Sequence, residues 1–309
     1  MISFRRTHII FSSLSLFLAS VFLFPTLSVA AEGSFMVRPA KVELSGKPGE
    51  TLHAVITLGN QLGAPATFTV SYEDVAAGQN PEDSVTLLGE KRGPYPLRDL
   101  LRAPHTVSLV SGEEERVPVS VVIPADATPG GLYGSVIFTP VRTKGAGNVV
   151  PDSRIGVLFF VRVQGEAKES GKLSLFETFN NQHVWFGRPS ITDPVHTQIV
   201  FENTGTVHLN PYGKMSIKAF GSDAVEVVVD PWYVLPGSTR MRENTLVQEL
   251  SYGPNTIALE LNRGYKDIVD DQTITIWVFP SAWVLVCGGG ILLVLLWMVI
   301  RRVRKLHVV

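Results

Sequence analysis

A chain of 309 residues, 45% hydrophobic and with a formal net charge of −1, has room for two domains of ordinary size plus terminal segments. A balance so near zero gives no electrostatic footprint for a nucleic-acid partner. The single cysteine, Cys287, excludes an intrachain disulfide and a zinc site built on paired cysteines, so the fold must rest on its cores alone.

Residues 1–31 read as a secretory signal. Arg5 and Arg6 supply the basic start, Ile9 to Phe24 is apolar apart from serines, and Pro25 ends the helix. Leu27-Ser28-Val29-Ala30-Ala31 then satisfies the small-residue rule for cleavage after Ala30 or Ala31; an uncleaved N-terminal anchor is the alternative.

From 33 to 164 the signals are strands. Phe68, Val70 and Tyr72 alternate with Thr67, Thr69 and Ser71; Val117, Val119, Val121 and Ile123 share one face, as do Ile155, Val157, Phe159, Val161 and Val163. A period of two means one face is buried and the other meets water or a second sheet. Gly130-Gly131 predicts a tight reversal before an edge. The longest irregular stretch, Asp74 to Arg102, is the candidate contact loop, since long loops in compact domains are usually functional or disordered. Within it Arg92, Tyr95 and Arg98 are the candidate ligand-binding residues, with Lys91 beside them: a ring for stacking on a sugar, and guanidinium groups for carboxylates.

Residues 165–171 are polar, small and mixed in charge, as linkers are. The strand pattern restarts over 172–278. Val195, Thr197, Ile199 and Phe201 alternate, followed by Met215, Ile217 and Ala219, then Ile257, Leu259 and Leu261, then Ile274, Ile276 and Val278. Turns are expected at Asn203-Thr204-Gly205, Asn210-Pro211-Tyr212-Gly213 and Leu235-Pro236-Gly237-Ser238. His183, His196 and His208 stand singly, as packing or surface histidines rather than metal ligands. Asp267, Asp270 and Asp271 share a loop whose spacing does not match an EF-hand, so a solvated turn is expected in place of a calcium site. Leu235-Pro236-Gly237-Ser238-Thr239 departs from the order of a sortase signal and lies well before the C-terminal apolar run.

Ala282 to Ile300 carries no charge and predicts a single transmembrane helix over 282–300, with Trp283 and Trp297 near its two edges. Arg301, Arg302, Arg304 and Lys305 open a basic tail, 301–309, that the positive-inside rule holds in the cytoplasm. The expectation is a single-pass protein of the cytoplasmic membrane with its bulk outside. Gly288-Gly289-Gly290 lacks the G-x-x-x-G spacing of a dimerising helix.

No G-x-S-x-G, no H-E-x-x-H and no phosphate-cradling glycine loop occurs, so the chain is read as non-enzymatic, with no cofactor and no metal. The fold class expected is all-β: two immunoglobulin-like antiparallel β-sandwiches plus the C-terminal transmembrane helix.

Several phrases recur in a distinctive order. Lys47-Pro48-Gly49-Glu50 precedes a strand ending Leu58-Gly59-Asn60. The strand ending Tyr72-Glu73-Asp74 follows, then Pro94-Tyr95-Pro96-Leu97-Arg98-Asp99-Leu100-Leu101 ahead of Val107-Ser108-Leu109, and then the stretch from Ile123 to Gly134. This order resembles the extracellular N-terminal domain of the WxL-interacting proteins, a family of bacterial surface proteins. Phe201 to Leu209 and Gly213 to Ile217 are similar to immunoglobulin-like strands of such proteins, which also end in a membrane helix with a basic tail. The resemblance covers most of 35 to 305 and is weaker in the second domain. It implies peptidoglycan binding by the first domain and attachment to host or partner proteins by the second. The function expected is therefore a membrane-anchored surface adaptor for cell-wall glycan or another surface protein. The alternative is a tethered chaperone or assembly factor for surface subunits, resembling the pilus chaperones with their paired immunoglobulin-like domains.

Overall fold

The computed structural model describes residues 34–141, 153–179, 195–219, 221–246, 250–278 and 282–306. Side chains are described throughout these ranges except at 282–285, 287 and 303–306. The expected signal at 1–31 and His183 lie outside them.

Two four-to-six-stranded layers build the first sandwich. One sheet runs in the order β1 (Ser34–Arg38), β3 (Thr51–Gln61), β8 (Glu114–Val122), β6 (Leu101–Arg102). The other runs β2 (Lys41–Gly46), β10 (Ile155–Val163), β9 (Gly130–Pro140), β4 (Ala66–Ala76), β5 (Thr86–Leu87), with β7 (Thr106–Leu109) also paired to β4. All these pairings are antiparallel except β2 with β10. The alternating residues close between the sheets: Val117, Val119, Val121, Phe68, Val157, Phe159 and Val161 are all buried in one core. At roughly 25 cal/mol per Å², each such side chain contributes about 1.5–3 kcal/mol when removed from water.

The second sandwich pairs β11 (Gly171–Phe179), β12 (Val195–Asn203) and β15 (Ser238–Leu246) in one sheet. The facing sheet is β14 (Val225–Val229), β13 (Tyr212–Ala219), β16 (Gly253–Asn262), β17 (Val269–Val278). Ile199, Phe201, Met215, Ile217, Ile257, Leu259 and Leu261 fill its core. Each sandwich thus has its own core, and both are immunoglobulin-like β-sandwiches.

Three details differ from the sequence reading. Gly130 and Gly131 do not reverse the chain at an edge. They begin the central strand β9, paired to Val163 and Arg162, and a Cβ on Gly131 would strike the Tyr133 ring two residues on. The glycine is there to let an aromatic side chain lie flat along the strand. The acidic turn near Asp270 is only partly solvated: Asp270 accepts from Arg263 Nε at 2.9 Å and from the Leu173 amide at 2.9 Å, fastening β17 to β11. Third, the outer face of β10 is largely covered. Val157, Phe159 and Val161 enter the core of the first sandwich, while Leu158 and Phe160 on its other face belong to a separate apolar cluster.

The C-terminal helix, α1, spans Ala282–Leu306. Every described side chain on it is exposed, including Leu292 and Leu293. Among the described residues no helix is long and apolar enough to cross a membrane. The transmembrane expectation for 282–300 therefore goes beyond these residues. The guanidinium of Arg301 lies 4.8 Å from the Trp297 ring centroid; the side chains of Trp283, Arg304 and Lys305 are outside the description.

Candidate functional site at the domain junction

The second face of β10 explains how the two sandwiches meet. Tyr133 of β9 and Phe160 of β10 are cross-strand partners with their rings 5.1 Å apart, edge to face. From the second domain, His208 sits 5.7 Å from Tyr133 and 5.2 Å from Phe160, and Tyr233 sits 4.9 Å from Phe160. Edge-to-face aromatic pairs at such separations contribute about 0.5–1.5 kcal/mol each beyond area burial. Val75 and Leu235 complete this buried cluster.

Polar contacts fix its register. The Tyr133 hydroxyl accepts the His208 backbone N–H at 2.7 Å and lies 3.3 Å from His208 Nδ1. With the hydroxyl already accepting from the amide, its own proton is free to go to Nδ1. Nearby the Gly131 amide donates to the Thr206 carbonyl at 2.9 Å. Lys41 Nζ lies 5.0 Å from the Tyr233 ring centroid and donates to Glu43 at 2.6 Å, and the Arg240 guanidinium lies over the Tyr233 ring at 4.2 Å.

Burial sets the protonation here. It pushes the Tyr133 phenol well up. It also lowers the His208 imidazole: burial dominates, Glu43 opposes it, and the cations Lys41 and Arg162 reinforce it. For Glu43 burial alone would raise the carboxyl, but the hydrogen bond and charge of Lys41 bring it below its ordinary value. His208 therefore packs in the junction with its protonation disfavoured, chiefly by burial. Beside the cluster lies a polar cleft of about 280 Å³ between the domains, lined by Glu43, Ser45, Arg162, Glu169, His208 and Asn210.

The long loop is tied down from within. Buried Asp74 accepts the amides of Gly93, Leu97 and Arg98 at 2.9–3.0 Å. Glu73 accepts the Gly89 amide at 2.8 Å and pairs with Arg154. Of the three candidate binding residues, Tyr95 turns inward, its ring 5.9 Å from Tyr133 and its carbonyl accepting the Tyr133 amide. Arg98 donates to the carbonyls of Glu90 at 2.8 Å and Gly89 at 3.4 Å. Arg92 stays exposed, 3.3 Å from Asp99. The structure brings Arg92 and Arg98 to a shared carboxylate and sends Tyr95 to the junction, so the three form no single open face.

Sequence reasoning missed Lys41, Phe160, Tyr233 and Arg240 as a group. The available signal was β10 itself, where Leu158 and Phe160 interrupt the polar side of the alternation.

Among the described residues no cluster of three or more metal-ligating side chains occurs.

No family model and no curated protein matches the chain, so the resemblance to WxL-interacting proteins rests on the quoted motifs alone. Among solved structures, the class 5 fimbrial chaperone CfaA is similar with a TM-score of 0.38 and 12% identity, covering 80% of this chain and all of that one. A chain from a CFA/I chaperone–tip adhesin complex gives 0.38 and 13% over 80% of this chain and 100% of that one. A chain from the Salmonella enterica SafA pilin–SafB chaperone complex gives 0.36 and 14%, covering 80% of this chain and 99% of that one. At these identities and TM-scores the likenesses carry no argument for what this chain binds.

Proposed function

We propose that this chain is a non-enzymatic, membrane-anchored assembly factor that holds another envelope protein by adding one of its strands to the first sandwich. One observation carries the reading. Over Leu158–Val163, β10 is paired on both sides, by β9 and by β2; over Ile155–Val157, among the described residues, it is paired by β9 alone. The Leu158 amide bonds to the Ala40 carbonyl on the β2 side, so Gly156, two residues earlier, turns its N–H and C=O the same way, to an edge that no described strand pairs. Exposed edges of this kind accept a partner's strand through main-chain hydrogen bonds. The aromatic junction supports the reading by keeping the second domain fixed behind that edge.

Anchoring is part of the proposal. The uncharged run from 282 to 300, the exposed apolar side chains of α1 and the cations Arg301, Arg302, Arg304 and Lys305 fit a single span with the sandwiches outside. Wall-glycan binding through Arg92, Tyr95 and Arg98 is the competing reading. The inward turn of Tyr95 gives that ring a structural task, which is why strand addition is preferred.

A photo-crosslinking residue at position 154, in cells, tests the choice. A discrete adduct with one envelope protein, lost on adding a Gly156→Pro change, is the expected result. Co-sedimentation with purified wall, no protein adduct, and loss of sedimentation in the Arg92→Ala, Tyr95→Ala, Arg98→Ala triple variant would establish the glycan reading in its place.

A further inference from the structure

The second sandwich carries another edge, with a different chemistry. Strand β15 lies at the end of its sheet, paired to β12 over Ser238–Leu246. Its Met241 amide donates at 2.7 Å to the carbonyl of Pro81, which belongs to the long loop of the first domain. That bond fixes the backbone phase. Met241, Glu243 and Thr245 turn their N–H and C=O away from β12, and beyond Met241 no described residue covers that edge.

Side-chain placement follows from the register. Arg242 lies opposite Ile199 and Asn244 opposite Thr197; both partners are buried, so Arg242 and Asn244 share the face that looks into the sandwich. Arg240 lies opposite Phe201 on the same face. Three polar atoms on this strip, Arg240 Nε, Arg242 Nε and Asn244 Nδ2, are shielded from solvent yet have no hydrogen-bond partner. Arg242 has a loose ion pair with Asp230 at 3.9 Å, whereas Arg240 is spent on the Tyr233 carbonyl and ring. Shielded donors without acceptors are rare and costly in folded proteins.

We infer that the open half of β15, Arg242 to Leu246, is a second strand-addition site, and that its occupant is an extended segment of a partner protein carrying carboxylates at alternate residues. A strand added there continues the ladder begun by Pro81. Its alternate side chains then stand about 5 Å from Arg242 and Asn244, facing the same seam, where carboxylates pair with the Arg242 guanidinium, whose side chain is 37% exposed. On the outward face Glu243 disfavours acidic residues, so alternation, rather than overall acidity, is what the site selects. This inference is independent of the β10 edge.

The experiment uses the full chain in detergent micelles and a fluorescein-labelled octapeptide alternating Glu with Val, read by anisotropy. Saturable binding is expected, weakened about tenfold or more by Arg242→Gln, by replacing Glu with Gln in the peptide, or by raising salt. Thr245→Pro should weaken it equally, because that amide points to the open edge and the β12 ladder survives the change. A Gly156→Pro change should leave it untouched. Equal binding of the Gln peptide, or loss on Gly156→Pro with none on Thr245→Pro, would overturn the inference. So would the absence of any binding, which would leave the inward arginines as guards against edge pairing.

Discussion

The two sandwiches share a corner device and differ in what they do with their outer faces. In the first, buried Asn60 donates to the carbonyls of Ala64 at 2.9 Å and Leu109 at 3.0 Å, and its Oδ1 accepts the Leu62 amide. In the second, buried Asn203 donates to Val207 at 2.9 Å and Val234 at 2.8 Å, and its Oδ1 accepts the Gly205 amide. The spacing is the same: an amide two residues on, a carbonyl four residues on, and a carbonyl from a distant segment. Both plugs satisfy backbone groups where a strand leaves its sheet. The outer faces diverge. Lys214, Glu226 and Glu260 leave the β13–β16 face charged and open, whereas Tyr133, Leu158 and Phe160 make the β9–β10 face apolar and covered. A common scaffold has therefore been specialised on one face to hold its neighbour, and this separates what makes each domain fold from what joins the two.

The strongest way to break that comparison is to destroy one core. Val121→Asp places an unpaired charge in a fully buried position and should cost about 4 kcal/mol or more, unfolding the first sandwich. Leu259→Asp does the same to the second. Calorimetry should show that each variant loses one transition and retains the other at a lowered midpoint. If either variant abolishes both transitions, the cores are not separate and the contrast fails.

A smaller effect sharpens the corner device. Asn60→Ala and Asn203→Ala each strand buried carbonyls and should destabilise their own domain by about 2–3 kcal/mol. Chemical denaturation followed by a probe in each domain checks whether the two losses match. Markedly unequal losses would mean that only one of the two asparagines is a plug in the energetic sense.

Alternation made most of both cores legible, because Val117, Val119 and Val121 or Ile257, Leu259 and Leu261 can only be buried together. The junction was harder to read. Tyr133 and Phe160 look like further strand residues, and Tyr233 lies in an irregular segment with no period. Only their meeting in space, with His208 against Tyr133 and Phe160, gives the cluster its meaning. How the loop is held was hidden for a related reason. Glu73 and Asp74 near the end of β4 bind its backbone, and nothing in their spacing announces three amides converging on one carboxylate.

Tyr133→Phe keeps the ring and removes the hydroxyl that bridges the domains. It should cost about 1–2 kcal/mol, with the loss confined to the coupling between the transitions. Hydrogen exchange at the His208 and Gly131 amides should speed up while both cores stay protected. An unchanged exchange rate at His208 would show that the hydroxyl does not hold the junction.

The mildest prediction concerns acid. His208 is held below its ordinary value in the folded chain, chiefly by burial, so between its folded and unfolded pKa the unfolded state binds more protons. Stability must then rise with pH through that window and fall as pH drops below about 6.5, the unperturbed value. The groups facing the imidazole agree with the sign: Lys41 and Arg162 oppose its protonation, and Glu43 lies 3.9 Å away, too far for a good hydrogen bond to offset burial. Lowering pH from 7 to 5 should therefore loosen the junction before either core. His208→Gln, which cannot titrate, should flatten this part of the pH dependence of the melting temperature. If wild type and His208→Gln show the same slope between pH 7 and 5, the acid sensitivity belongs to carboxylates elsewhere and the junction is not its origin.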